Sequence, residues 1–343
     1  MPCSIDPAEY FIYDPSPCQP VDAPDLAQEM SVSHWDIQPC PFRFRLSDWT
    51  FLTVTRLLQC RSIDILTPKL PDEAMKPPTD GLLSDSQGFL IRAMPLEGEL
   101  PAITPMGDFL RYVPLQYLHS HIDLTMSFED YQQKFSSKTR ATLNRKVRKF
   151  AQHCGGELHW KAYVSRDDMD EFFRHARAVS ARTYQERLLD AGIPGSDSFI
   201  ANARTLADED RLRAYILFDG DRPVSYLYCP VHASVLIYAY LGYDPDYARL
   251  SVGTVLQWLA LESLFAEGKF RAFDFTEGQS DHKRLFATHQ QQRGNVYFLR
   301  HTIGNRLLVS AHHRTDLLSA WFGNQFDRFG LKARIKRLIR STN

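Results

Sequence analysis

Between residues 127 and 300 the apolar and polar positions change period in a fixed order. Ser127-Phe-Glu-Asp has the capping-box pattern, and helical spacing follows it to about Cys154, where Gly155-Gly156 stops the helix. Residues 157–164 alternate as a strand. Ser165-Arg-Asp-Asp opens a second helix that runs to about Leu189. Three strands follow at 212–218, 223–231 and 234–243, the first two joined by the turn signal Asp219-Gly220. Next come a helix over 251–267 ended by Gly268, a strand over 270–275, a short helix over 280–288 and a last strand over 295–300. Before residue 127 the pattern weakens. Residues 1–39 and 68–81 look irregular, with strand-like runs at 51–55, 88–94 and 109–118. The expected organisation is an irregular segment over 1–39, a small lobe over 40–126, a main α/β domain over 127–300 and a helical basic tail over 301–343. No repeat with the period of a solenoid is present.

Composition supports two lobes. At 343 residues the chain exceeds the length at which one core usually stops growing, roughly 250–300 residues. Sixteen of the 20 prolines lie at or before Pro114. Residues 1–100 hold 15 acids against 7 bases, whereas 134–150 hold seven bases (Lys134, Lys138, Arg140, Arg145, Lys146, Arg148, Lys149) and no acid. The net charge of −1 therefore conceals segregation. It excludes a general field that would draw the chain to DNA, so an anionic partner must meet a local patch. Residues 1–20 carry Asp6, Glu9 and Asp14 among prolines, unlike a signal peptide. The longest apolar run, 235–243, is strand-sized, far below the roughly 18 residues of a membrane span. The six cysteines form no Cys-x-x-Cys pair, so neither a zinc site nor a disulfide framework is signalled. A cytoplasmic protein without a metal is expected.

Five stretches carry candidate chemistry. They are Ser136-Ser-Lys-Thr-Arg-Ala-Thr-Leu-Asn-Arg-Lys-Val-Arg-Lys149, Arg182-Thr-Tyr-Gln185, Leu241-Gly-Tyr-Asp-Pro-Asp-Tyr-Ala248, Leu250-Ser-Val-Gly-Thr-Val-Leu256 and Phe273-Asp-Phe-Thr-Glu-Gly-Gln-Ser-Asp-His-Lys-Arg-Leu-Phe286. In this order, over about half the chain, they resemble the GNAT-type acetyltransferase domain shared by FemAB-like proteins and the CelD-like proteins of bacterial exopolysaccharide and cellulose loci. The resemblance implies an α/β GNAT fold in a two-lobed, FemAB-like arrangement with a mixed, mostly antiparallel sheet. It also implies acetyl transfer from acetyl-CoA to an amine or hydroxyl of a sugar, which could be nucleotide- or lipid-linked.

The residues have physical readings beside that resemblance. Ser251 is a good N-cap, Gly253 permits close approach to the backbone, and the free amides of Val252, Gly253 and Thr254 could hold a pyrophosphate. The loop departs from the usual acetyl-CoA pattern at Val252 and Thr254. An ordinary capped helix is the plain alternative. Tyr243, ending the third strand, could donate to the leaving thiolate or orient the acyl carbonyl; core packing is its alternative. Asp274 lies between two phenylalanines, so it points opposite to them and could be a general base, with Glu277 as the other candidate. Asp274 could equally cap the turn that follows. The resemblance to FemX-type peptidyl transferases makes Lys283 a stabiliser of charge on the reacting acyl group. His282, where relatives have an aromatic residue, reads as packing. Tyr184 could stack on a sugar ring and Gln185 could bond its hydroxyls. Arg140, Asn144 and Arg148, spaced i, i+4, i+8, share a helix face able to meet a diphosphate, a glycan or tRNA. The tail over 331–343 has an apolar side ringed by bases, suited either to the inner membrane surface or to packing on the protein. Two other functions compete with acetyl transfer. One is peptidyl transfer from aminoacyl-tRNA. The other is a non-catalytic nucleotide- or membrane-binding module of a polysaccharide synthase.

Overall fold

The computed structural model describes residues 35–46, 49–71, 75–78, 81–183, 192–278 and 280–328, with side chains as far as Trp321. Tyr184, Gln185 and the tail over 331–343 lie outside the described residues. In chain order the first strands are β1 (Asp36–Leu46), β2 (Trp49–Ser62), β3 (Gly88–Pro95), β4 (Ile103–Met106), β5 (Phe109–Tyr112) and β6 (Gln116–Asp123). Helices α1 (Phe128–Gln133) and α2 (Ser137–His153) lead to β7 (His159–Tyr163), α3 (Met169–Ser180) and α4 (Asp197–Asp208). Then come β8 (Leu212–Asp219), β9 (Arg222–His232), β10 (Val235–Ile237), β11 (Tyr240–Tyr243), α5 (Val252–Glu267), β12 (Ala272–Asp274), α6 (Asp281–Phe286), β13 (His289–Arg300) and α7 (Ile303–Arg328).

The chain divides into two units. Of the described residues, one holds Leu118–Gln290 and the other holds 35–117 and 291–328. The chain passes between the two units at 117/118 and 290/291.

In the larger unit the strand order is β6-β12-β10-β9-β8-β7, with β11 also on β9. The Asp219-Gly220 hairpin forms as expected, with Asp219 opposite Arg222 and Gly220 at φ 58°. Strand β8 reads as a nearly unbroken apolar run because helices cover both its faces. Tyr215 and Leu217 meet Leu256 and Leu261 of α5 on one face, in a core that also holds Phe273 and Phe275. Ala214 and Ile216 meet Phe172, Phe173 and Ala176 of α3 and Ala203 and Ala207 of α4 on the other. Helix α5 is apolar on most of its circumference and is correspondingly buried, from Val252 to Leu264.

The smaller unit has the strand order β1-β2-β3-β13-β5-β4. Cys40, Phe42 and Phe44 alternate inward along β1 and pack with Leu308 and Val309 of α7. Pro39 and Pro41 sit on this edge strand, where a missing N–H costs no ladder bond. That arrangement corrects the irregular reading of residues 36–39. Three further readings change. The expected strand over 109–118 breaks at Pro114 into β5 and β6. The helix over 127–154 is two helices, because Ser136 caps α2 through a bond from Thr139 N. Helix α4, capped by Ser196, was not read from the sequence. Among the described residues no helix is long and apolar enough to cross a membrane.

Candidate active site

The run over 235–243 looks like one strand but changes partner midway. Its first part, β10, pairs in parallel with β12, from Val235 opposite Ala272 to Ile237 opposite Asp274. Tyr238 N then donates to Asp274 O at 2.8 Å, the last bond between the two segments. From Tyr240 the chain pairs only with β9, as β11. The two parallel strands therefore splay beyond Asp274. Open α/β sheets bind ligands in such a crevice, outside the carboxyl ends of their parallel strands.

Tyr243 ends the β11 side of the splay. Asp244 follows as the cap of a 3₁₀ turn, Pro245–Leu250, accepting from Asp246 N at 3.1 Å. Asp244 Oδ2 also accepts from Arg182 at 2.7 Å and from Arg222 at 2.6 Å. Burial opposes ionisation of this carboxyl, but the two guanidinium bonds prevail and hold it below the ordinary carboxylate range. Ser251 then takes φ 54°, a left-handed conformation, and its side chain caps nothing. Its expected capping role is therefore incorrect: the preceding 3₁₀ turn, closed by Ser251 N donating to Ala248 O, leaves the residue left-handed rather than in the extended conformation of an N-cap. Helix α5 begins directly after it. The amides of Val252, Gly253 and Thr254 have no acceptor within the helix and point out of its positive end. A Cβ on Gly253 would lie 3.3 Å from Leu241 Cδ2 and 3.5 Å from Tyr243 Cδ1. The glycine thus allows tight packing of α5 on β11. Lys149 of α2 reaches the same corner, donating to Arg249 O at 3.2 Å.

The β12 side carries the titratable groups. Phe273 and Phe275 point into the α5 core and Asp274 points the other way, as the sequence predicts. Asp274 is buried, however, and its Oδ1 accepts from His119 Nε2 at 2.7 Å and from Thr276 N at 2.6 Å. It therefore does cap the following turn, and it is also hydrogen-bonded to a buried histidine that sequence reading missed. His119 lies on β6, antiparallel to β12, with His121 directly opposite Asp274. Ring contacts continue from His119 to His121 and from His121 to the exposed His289, the latter pair stacked at 5.1 Å. The only sequence signal was His119-Ser-His121, two imidazoles on one face of a strand. Among the described residues no set of three or more histidine, cysteine or acidic groups is placed to hold a metal ion.

Glu277 is half-buried. Burial raises its carboxyl above the ordinary value, and the Lys283 charge offsets part of that rise. Lys283, in the first turn of α6, donates to Glu277 O through Nζ. Asp274, Glu277 and Lys283 thus cluster around one turn. His282 bonds through Nε2 to Oε1 of Gln257 in α5, and burial lowers its pKa to about 4. On α2, Arg140 is half-buried while Asn144 and Arg148 are exposed.

Residues 137–284 match the family described as the acetyltransferase (GNAT) domain. No curated protein matches this chain. Among solved structures, FemX is 9% identical over 80% of this chain and 90% of its own, with a TM-score of 0.46. The C-terminal domain of a protein described as a lysylphosphatidylglycerol synthetase from Agrobacterium fabrum is 11% identical, over 65% of this chain and 71% of its own, with a TM-score of 0.43. L-PGS from Bacillus licheniformis is 12% identical, over 66% of this chain and 72% of its own, with a TM-score of 0.38. The segment over 137–284, with its splayed parallel strands in a mixed sheet, is a GNAT-like α/β domain.

Proposed function

We propose that this chain is an acyltransferase that moves an acetyl group from acetyl-CoA to an amine or hydroxyl of a sugar. The splay between β11 and β12 is the observation that carries this reading. In this reading the acyl arm of the donor lies in the splay, between Tyr243 and the Asp274–Lys283 turn. The amides of Val252, Gly253 and Thr254 lie at the end of β11 and suit the donor's pyrophosphate. In the reaction, the acceptor nitrogen or oxygen bonds to the acyl carbon. The carbon–sulfur bond then breaks and the thiolate leaves with a proton. In this reading Tyr243 supplies that proton and Lys283 offsets charge on the carbonyl oxygen. The sugar acceptor, and a place in exopolysaccharide or cellulose synthesis, rest on the sequence motifs alone. Calorimetry with acetyl-CoA, followed by thiol-release assays with nucleotide amino sugars, tests the reading. Absence of acetyl-CoA binding would show it to be wrong.

A second reading keeps the fold and makes aminoacyl-tRNA the donor. The cationic helix α2 favours it. Among the described residues, none of Lys134, Lys138, Arg140, Arg145, Arg148 and Lys149 forms an ion pair. Binding of charged tRNA with a steep salt dependence, together with no response to acetyl-CoA, would support this alternative.

A further inference from the structure

We infer that His119 is the group that takes the acceptor's proton, and that Asp274 is its positioning residue. The inference rests on the acyl-transfer reading above and names the base within it. A carboxylate already holding a histidine N–H and a backbone N–H on one oxygen is a poor choice of base. It is a good choice of anchor. Its bond to His119 Nε2 at 2.7 Å puts a proton on Nε2, so in the neutral ring the lone pair is on Nδ1. Nδ1 is buried and has no hydrogen-bond partner. Buried polar nitrogens are rarely left so, and one without a partner points to a group that arrives later.

The register places His119 beside the residues that follow β12 into the splay. His121 is opposite Asp274, and Phe275 N donates to Ser120 O at 3.0 Å. His119 is therefore one step further along, beside Thr276, past the carboxyl end of β12 where the parallel strands have parted. As the acceptor attacks, its proton passes to Nδ1. The resulting imidazolium is balanced by the Asp274 carboxylate, and the thiolate departs from the acyl carbon. This is the division of labour of a base held in one tautomer by an acid that does not itself take the proton.

The test uses the full chain with acetyl-CoA, measured by calorimetry and by thiol release with water and with UDP-glucosamine as acceptors. His119→Gln keeps a donor for Asp274 and removes the base. It should bind acetyl-CoA within about twofold of wild type and lose on the order of a hundredfold in kcat, with KM for acetyl-CoA unchanged. Nitrogen NMR of the labelled protein should show His119 as the Nε2–H tautomer, and Asp274→Asn should disturb that tautomer while acetyl-CoA still binds. Full kcat in His119→Gln, or an Nδ1–H tautomer in wild type, overturns the assignment and leaves acyl transfer standing. Parallel loss of acetyl-CoA binding and thermal stability in His119→Gln also overturns it, in favour of a purely structural role. If wild type neither binds acetyl-CoA nor releases thiol, the acyl-transfer reading fails and this inference falls with it.

Discussion

His282 donates its Nε2–H to Oε1 of Gln257, tying the first turn of α6 to the middle of α5. The bond holds His282 in place among the rings of Tyr238, Phe275 and Phe286. Burial, with lesser contributions from Lys146 and Lys283, lowers its pKa from 6.5 to about 4. In the unfolded chain the same ring protonates near its ordinary value. The stabilising effect of a neutral His282 is therefore full above about pH 6.5 and is lost as pH falls toward 4. Between pH 7 and pH 5 it amounts to about 2 kcal/mol. His282→Phe removes this titration and leaves the Gln257 oxygen unpaired, at about 1 kcal/mol. Urea unfolding at the two pH values should show a less stable variant at pH 7 whose stability changes less on acidification. An unchanged pH dependence would contradict the argument.

Gly242 lies beneath the ring of Tyr226, which a Cβ would meet at 2.3 Å from Cε1. That ring is buried between β9 and the α3 face, so it cannot swing away. Gly242→Ala should destabilise the larger unit by about 2–3 kcal/mol and loosen β11, the strand that ends at Tyr243. Adding Tyr226→Leu opens the space and should restore part of the loss. Chemical denaturation of the single and double variants decides this. Equal effects without recovery would mean that the contact is not the cause.

Arg213 is buried on β8, and its guanidinium meets Glu267 at 2.8 Å and Asp210 at 2.8 Å. Glu267 is the last residue of α5, so the pair joins the sheet to the end of that helix. Glu267→Gln leaves the guanidinium buried with the more exposed Asp210 as its remaining carboxylate. The expected loss is about 2 kcal/mol, read from thermal or urea unfolding. Because the change lies at the far end of α5 from Val252, acetyl-CoA affinity should stay within about twofold. Loss of affinity without loss of stability would show that the pair acts on the site.

The order of elements from 127 to 300 was legible because each has its own period and a distinct stop. Gly155-Gly156, Asp219-Gly220 and Gly268 all terminate elements where the pattern placed them. The division of 235–243 was not legible. Val235 to Tyr243 is apolar throughout, and only the change from β12 to β9 as partner separates β10 from β11. Asp274 was found because it breaks an aromatic run. Its partner His119 is 155 residues earlier, in a segment without clear alternation, and only strand pairing joins them. Ser251 shows the opposite failure. A serine before a helix reads as a cap, yet the preceding turn sets its backbone to a left-handed conformation in which its side chain does not cap.

Glu277 separates function from stability. Its carboxyl is raised by burial, with Lys283 acting in the other direction. A carboxyl raised in the folded state favours the protonated form there more than in the unfolded chain. Ionised Glu277 therefore costs stability at neutral pH, and the cost disappears as pH falls below the ordinary value of 4.5. Glu277→Gln keeps the size of the side chain and the backbone oxygen that Lys283 holds, and it removes the charge. The variant should be more stable than wild type at pH 7 and equal to it near pH 4. If Glu277 helps to orient the acceptor or offset charge beside Lys283, thiol release should fall on the order of tenfold while acetyl-CoA binding is unchanged. Melting curves at both pH values and a thiol-release assay measure the two effects independently. Greater stability with full activity would make Glu277 a residue of the turn alone. Lower stability at pH 7 would contradict the burial argument itself.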